Sequence, residues 1–341
     1  MKTRVTVNRT DAVTYIHPCY EIDNFSYKFA TTPSAVCVIL YGFLTLLSVA
    51  TVFGNLLVIM SVFYFKQLHT PTNFLILSLA VADLLVGIVV FPLTMAFSYS
   101  LCMYHEDLFC KIQDSFGVYL CTCSILHLCC ISVDRYYAVC QPLIYKSKIS
   151  RHVVVIMITV SWGASALIGI GAPQNSKEKC QETCYIDVLM ANTVGPILSF
   201  VLPLIIMLCI YLKIFLVAQR QARSIQTRMK CIATVSKMER KATKTLAIVL
   251  GVFIFCWTPF ILCFSFLPFT NSSILVPVLE ALVCLALTNS TLNPFIYAFF
   301  YSWFRSAFRI IMSGKIVNFF VCFFILKTTN ILNKMFLQLR M

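Results

Sequence analysis

The sequence predicts an all-α membrane protein: a seven-transmembrane helix bundle with a short amphipathic eighth helix. Three observations predict it. Of the 341 residues 60% are hydrophobic and only 12% are charged, with a mean hydropathy of +0.86, outside the range of soluble domains. Seven apolar stretches, near residues 36 to 64, 73 to 99, 109 to 133, 152 to 172, 190 to 218, 243 to 267 and 274 to 301, each reach the roughly 20 residues needed to cross a bilayer. The basic residues also alternate from one connection to the next. With the N-terminus outside, the cytoplasmic segments hold Lys66, Arg135, Lys146, Lys148 and Arg151, nine between Lys213 and Lys244, and six from Arg305 to Arg340. Together these are 20 of the 27 Lys and Arg residues, the asymmetry expected of an inner face. The net charge of +14 therefore points to membrane lipid and a cytosolic partner, and not to nucleic acid. The implied organisation is an extracellular tail over 1–33, the bundle over 34–301, the amphipathic helix over 302–314 and a cytoplasmic tail over 315–341.

Residues 1 to 33 are polar and hold two glycosylation sequons, at Asn8 and Asn24. No apolar h-region opens the chain, so no cleavable signal peptide is expected. A third sequon, at Asn271, falls in the last outer loop, close to the bilayer. Most of the seventeen cysteines lie inside the spans, where cysteine is a small polarizable hydrophobe. Cys19 in the tail, Cys110 at the outer end of the third span, and Cys180 and Cys184 before the fifth stand out, because only the outer side is oxidising enough for stable disulfides. Spacing alone leaves their connectivity open.

In the second span, Asp83 is the deepest charge, and an intramembrane carboxylate is costly unless paired or hydrated. Asn55, Ser124, Asn289 and Asn293 are the polar residues that other spans bring to that depth. Such a set of oxygen ligands suits a small hydrated cation, or else a hydrogen-bonded packing cluster without an ion. At the inner end of the third span stands Asp134-Arg135-Tyr136, about 24 residues after Cys110, and Glu239 opens the sixth. Arg135 is expected to pair with Asp134 and Glu239, latching the third and sixth helices, since a guanidinium holds carboxylates firmly. Trp162, Pro203 and Tyr211 mark the fourth and fifth spans. In the sixth, Phe253 and Trp257 precede Pro259, whose ring provides a hinge for an aromatic switch. The five histidines form no visible metal site, and mid-span His127 has no nucleophile beside it.

The seventh span ends in Asn289 to Phe304, NSTLNPFIYAFFYSWF. Pro294 breaks the helix hydrogen bonding, and Tyr297 follows it. Such a break is tolerated in a membrane only where neighbouring helices and water re-satisfy the backbone. Beyond Tyr301, Phe304, Phe308 and Ile311 recur at helical spacing with Arg305 and Arg309 between them, the pattern of a surface helix. This stretch resembles the fingerprint of trace amine-associated receptors within the rhodopsin-like G-protein-coupled receptors, and the resemblance covers roughly residues 19 to 315. It implies a plasma-membrane receptor with an extracellular N-terminus that senses a small ligand, an amine odorant, in olfactory neurons. It further implies that the receptor activates a heterotrimeric G protein of the stimulatory, cAMP-raising kind. It pairs Cys110 with Cys184 and Cys19 with Cys180, and places sodium among Asp83, Asn55, Ser124, Asn289 and Asn293, with no other cofactor or metal. No enzyme chemistry is implied.

The pocket departs from the family pattern. The acid that usually holds the ammonium lies 18 residues before the Arg of the DRY motif, and here that position is Gly117. An alternative acid, eight residues before the fifth-span Pro203, is replaced by Gly195. The seventh-span aromatic positions become Cys284 and Leu287. Asp114, three residues before Gly117 and about 4.5 Å further out along a helix, and Glu280 are the remaining outer acids, either amine-binding or simply facing water. Val118, Cys121 and Ser199 would line the floor with Trp257, Phe260 and Ile261. A rhodopsin-like receptor for a non-amine ligand, or a receptor-like protein that no longer signals, remains an alternative. A transporter or channel would show inverted repeats or a charged pore, and neither is visible. The apolar run Ile316 to Leu326 is too short to span. It is either a membrane-surface segment with Cys322 as a lipidation site or an altered gene end.

Overall fold

The computed structural model describes residues 20–23, 26–29, 35–96, 108–171, 195, 197–225, 233–266, 275–300, 304–306 and 309. Two short strands, β1 (Tyr20–Asp23) and β2 (Ser26–Phe29), precede the helices. They pair antiparallel from Tyr20 opposite Phe29 to Asp23 opposite Ser26, so the segment expected as a plain tail contains a hairpin. The alternating Tyr20 and Ile22, then Tyr27 and Phe29, carry the strand signal.

Among the described residues, eight helices of seven residues or more follow. They are α1 (Ala35–Tyr64), α2 (Pro71–Leu85), α3 (Leu108–Cys140), α4 (Pro142–Lys148), α5 (Arg151–Gly171), α6 (Leu202–Ile225), α7 (Ala233–Phe266) and α8 (Leu275–Phe300). A π-turn, Val86–Val90, carries α2 on into Phe91–Ala96, and a second π-turn, Ile197–Val201, leads into α6. Among the described residues, α1, α2 with its continuation, α3, α5, α6 and α8 are apolar and long enough to cross a membrane. In α7 the described apolar stretch is Gly251–Ser265, within a helix of 34 residues.

Several helices outrun their apolar stretches. The third was expected to end at 133, but α3 continues to Cys140, where Val139 is still buried, and Pro142 then starts α4 at its first position. At the end expected to be cytoplasmic, α6 and α7 likewise extend through polar turns, to Ile225 and from Ala233. Helix starts follow local chemistry. The Thr70 hydroxyl accepts from the Asn73 N–H at 3.3 Å with Pro71 next to it, and the Ser150 hydroxyl accepts from Val153 at 3.4 Å. Within the spans, serine and threonine hydroxyls donate to the carbonyl four residues back, as Thr51 does to Leu47, Ser132 to Leu128 and Ser165 to Ser161. These bonds satisfy a polar group that lipid cannot.

The packing places α3 at the centre, against α2, α5 and α6, while α8 closes the ring between α7 and α1. Among the described residues three glycines set the closest approaches. A Cβ at Gly54 would lie 2.9 Å from the Cβ and Cγ of Pro294, one at Gly87 would lie 2.9 Å from the Val52 Cγ2, and one at Gly169 would lie 2.7 Å from the Tyr119 Cβ. Phe53, Leu167 and Phe299 point outward, exposed as lipid-facing residues are. Of the amphipathic helix expected over 302–314, residues 304–306 are helical. Phe304 is buried in the core cluster there, and Arg305 donates to the Phe299 and Ala298 carbonyls at 2.8 and 3.3 Å. The rest of that helix lies outside the described residues.

Candidate functional site

At the outer end, one face of α3 presents Asp114, Gly117, Val118 and Cys121 in turn, spaced three to four residues apart. Asp114 is exposed, whereas Val118 and Cys121 are half-buried. A Cβ built on Gly117 would meet nothing within 4 Å, so the space left by the missing side chain is open. Cys121 and, from α8, Cys284 pack against one apolar cluster that contains Leu120 and Leu287. Leu287 is buried in that cluster and so supports the floor from beneath. Glu280, one turn outward of Cys284, is half-buried, as are Gly195 and Ser199. The Ser199 hydroxyl donates to the Gly195 carbonyl at 2.7 Å across the π-turn.

Below this level lies a chain of aromatic rings. Phe200 stacks on Phe253 at 5.5 Å and lies 6.2 Å from Trp257, which meets Phe260 edge-on at 6.2 Å. Ile261 is packed against the main core from the same helix. Phe200 was not anticipated from sequence, since one phenylalanine in an apolar span carries no distinctive signal. The Trp257 Nε1 and the Thr258 hydroxyl are buried without hydrogen-bond partners, beside Pro259 inside α7. Beneath the rings, a small cavity is lined by Leu128, Met207, Val249 and Phe253, with Ser132 and Tyr211 as its polar edge.

Asp83, fully buried in α2, is the centre of the polar axis. Its Oδ1 accepts from Ser124 at 2.8 Å and from Ser290 at 2.7 Å, and its Oδ2 accepts from the Asn293 amide at 2.7 Å. Three helices thus converge on one carboxylate. Ser290 is an addition to the expected set. Asn55 serves the axis indirectly, donating to the Thr51 and Ser290 carbonyls at 2.9 and 3.2 Å, and Thr51 and Thr291 share a 2.6 Å bond between α1 and α8. The side-chain oxygens of Asn55, Asn289 and Asn293 are buried with no hydrogen-bond partner. A carboxylate with the Asn293 amide on it and further orphaned oxygens on neighbouring helices offers the oxygen ligands that a hard monovalent cation takes. No group of three or more His, Cys, Asp or Glu side chains suited to a metal occurs among the described residues.

A second polar network lies at the C-terminal end of α3, the end expected to face the cytoplasm. Asp134, buried in α3, accepts from Arg135 Nε at 2.8 Å and forms an ion pair with its Nη2. It also accepts from the Thr72 hydroxyl at 2.8 Å and from the Tyr145 hydroxyl of α4 at 2.9 Å. Arg135 Nη2 also donates to Thr72. Burial pushes the Tyr145 hydroxyl above its usual pKa, so it remains a donor at neutral pH. Thr72 and Tyr145 were not anticipated from sequence. The expected Arg135 partner Glu239 lies on the α7 backbone, but its side chain is outside the described residues. Tyr136 packs edge-on against Tyr137 at 5.6 Å, the Tyr211 and Ser132 hydroxyl oxygens lie 3.4 Å apart, and Tyr297 is buried in the core. Cys110 lies on the α3 backbone with its side chain outside the described residues, and Cys184, Cys19, Cys180 and the sequons at Asn8 and Asn24 lie outside them altogether.

His127 is fully buried. Its Nδ1 lies 2.7 Å from the Cys123 carbonyl, to which only an N–H can donate, so Nε2 accepts from the Ser78 hydroxyl at 2.8 Å. The Trp162 Nε1 donates to the same Ser78 oxygen at 2.9 Å, tying α2, α3 and α5 together.

The family model described as "7 transmembrane receptor (rhodopsin family)" matches residues 54–297. Trace amine-associated receptor 1 of Macaca mulatta is 42% identical over 320 residues, covering 87% of this chain and 94% of its own length. Trace amine-associated receptor 4 of Mus musculus is 40% identical over 321 residues, covering 87% and 92%. Trace amine-associated receptor 9 of Mus musculus is 41% identical over 320 residues, covering 87% and 91%.

Proposed function

Because the chain belongs to the rhodopsin family of seven-transmembrane receptors, and within it to the trace amine-associated receptors, we propose that it detects a protonated amine outside the cell. It then signals through a heterotrimeric G protein of the stimulatory class. The family consists of multi-pass plasma-membrane receptors and not enzymes. The observation that carries the amine reading is the outer face of α3. Asp114 there is an exposed carboxylate with no hydrogen-bond or ion-pair partner among the described residues, and the next turn inward is open at Gly117. An ammonium entering from outside would meet Asp114 one turn before the usual anchor position, with its apolar portion over Val118 and Cys121.

In this reading a bound amine shifts Trp257 against Phe200 and Phe253 and moves α7 about Pro259. The Arg135 latch then opens, exposing a cytoplasmic groove. A full switch requires an affinity difference between the two states of about 5.5 kcal/mol. Leu143 is 99% exposed at the start of α4, an apolar contact fit for a cytosolic protein. Sodium held by Asp83, Ser124 and Ser290 with the orphaned asparagine oxygens would stabilise the resting arrangement. The basic cytoplasmic segments support an extracellular N-terminus.

The test is cAMP accumulation in cells bearing surface-delivered receptor, over a panel of mono- and diamines. Asp114→Asn should weaken amine potency at least tenfold, the low end of the about 1.5–3 kcal/mol assigned to a charge-assisted bond. Gly117 and Gly195 favour a second reading, a non-amine ligand. A neutral agonist indifferent to Asp114→Asn would establish it in place of the first. Silence to every ligand, at the level of an Arg135→Ala control, would mean the chain no longer signals.

A further inference from the structure

On the cytoplasmic side, α4 meets α5 at a two-residue corner. Ile149 is buried in the main core cluster, its N–H donates to the Tyr145 carbonyl at 2.8 Å, and Ser150 caps α5. The corner is therefore fixed by burial, by backbone bonds and, through the Tyr145 hydroxyl on Asp134, by a bond to α3. Around it Lys146, Lys148, Arg151 and His152 are all exposed, and none has an ion-pair partner among the described residues.

The chain offers these cations little of the opposite sign. Of its 13 acids, only Asp134 and Glu239 belong to the cytoplasmic side of the assigned topology. Asp134 is buried and already bonded by Arg135, Thr72 and Tyr145. One turn past Arg151, Val155 and Ile156 are each 60% exposed, with Val160 continuing the same outward face, while Val154 is buried. The cations thus sit where an apolar, lipid-facing surface begins, at headgroup depth.

We propose that this corner is a binding site for an anionic lipid with more than one phosphate on its headgroup. Lys146, Lys148 and Arg151 hold the phosphates, and an acyl chain lies along Val155, Ile156 and Val160. A multiply charged headgroup matches three cations on a rigid frame better than singly charged lipids that must be gathered one by one. The same seven-residue helix carries Tyr145, so an occupant of the corner also steadies the bond to Asp134 beside Arg135.

Full-length receptor is reconstituted in phosphatidylcholine nanodiscs containing a trace of fluorescent phosphatidylinositol 4,5-bisphosphate. Energy transfer from the receptor is then competed with unlabelled lipids. Each basic residue near an anionic headgroup contributes about a fivefold factor in affinity, so combining Lys146→Gln, Lys148→Gln and Arg151→Gln should lower affinity about a hundredfold. The charge-matched control, Lys213→Gln with Arg220→Gln and Arg309→Gln, should retain nearly all of it. Phosphatidylserine at equal total charge should compete poorly, and soluble inositol trisphosphate only weakly because it lacks the chain. Unfolding temperatures of both variants in phosphatidylcholine alone separate misfolding from lost binding. The proposal is overturned if phosphatidylserine competes equally at matched charge, or if the control variant loses as much affinity as the corner variant.

Discussion

Replacing Asp83 with asparagine removes one charge from the polar axis while almost preserving its shape. If nitrogen takes the place of Oδ2, the oxygen that remains still accepts from Ser124 and Ser290. Only the Asn293 contact then sets donor against donor. The Asn293 oxygen has no partner, so a half-turn of its amide restores the third bond. Three bonds to a carboxylate become three neutral ones, a loss of about 1 kcal/mol each. Against this, a buried charge whose desolvation costs several kcal/mol is removed. The two terms nearly cancel, and Asp83→Asn should unfold within about 2 kcal/mol of the parent in sodium-free buffer. Asp83→Ala instead orphans three buried donors at about 1–3 kcal/mol each and should be clearly less stable.

The assay is thermal unfolding of purified receptor in sodium chloride against N-methylglucamine chloride at equal ionic strength. Sodium at a hundred times its Kd would add about 2.7 kcal/mol to the parent and nothing to either variant. Equal destabilisation by asparagine and alanine would refute the turn of Asn293. Sodium stabilisation that survived Asp83→Asn would refute Asp83 as the ligand.

Other consequences follow from individual contacts. Gly54→Val places atoms where Pro294 already lies 2.9 Å from a Cβ, and overpacking of this kind should cost about 1–3 kcal/mol, read as a lower unfolding temperature and reduced surface delivery. Tyr145→Phe removes one of the bonds to Asp134; ligand-free cAMP should rise, and unchanged basal signalling would place Tyr145 outside the switch. Ser78→Ala strands both the His127 Nε2 and the Trp162 Nε1, and should cost about 1–3 kcal/mol for each buried group left unpaired, detectable by thermal unfolding in detergent.

The bundle was legible because apolar runs of membrane length are a one-dimensional signal, readable without knowing what packs on what. Asp83, Ser124 and Asn293 were legible for a related reason: in a hydrocarbon setting each polar side chain needs a partner, and helical rise fixes which ones share a depth. Ser290 was not, because a serine in a span can satisfy itself on its own helix, as Ser132 and Ser165 do. Thr72 and Tyr145 stand 62 and 11 residues from Asp134. Their place beside Asp134 depends on how α2 and α4 are rotated, which no local pattern encodes. The overrun of α3 to Cys140 escaped notice because hydropathy marks where lipid ends, while hydrogen bonding and Pro142 decide where the helix ends. The hairpin was hidden by its polar surroundings.

The two π-turns, at Val86–Val90 and Ile197–Val201, both lie between the landmarks Asp83 and Pro203 and the ends of their helices expected to face outward. Each inserts roughly one residue beyond regular winding, and the first acts as a vernier between α2 and its continuation Phe91–Ala96. Deleting a single residue there would swing the outer half through about 100° and re-aim its side chains toward a different quadrant, while the inner half kept its azimuth. Ligand preference and signal output can therefore be retuned separately along one continuous rod.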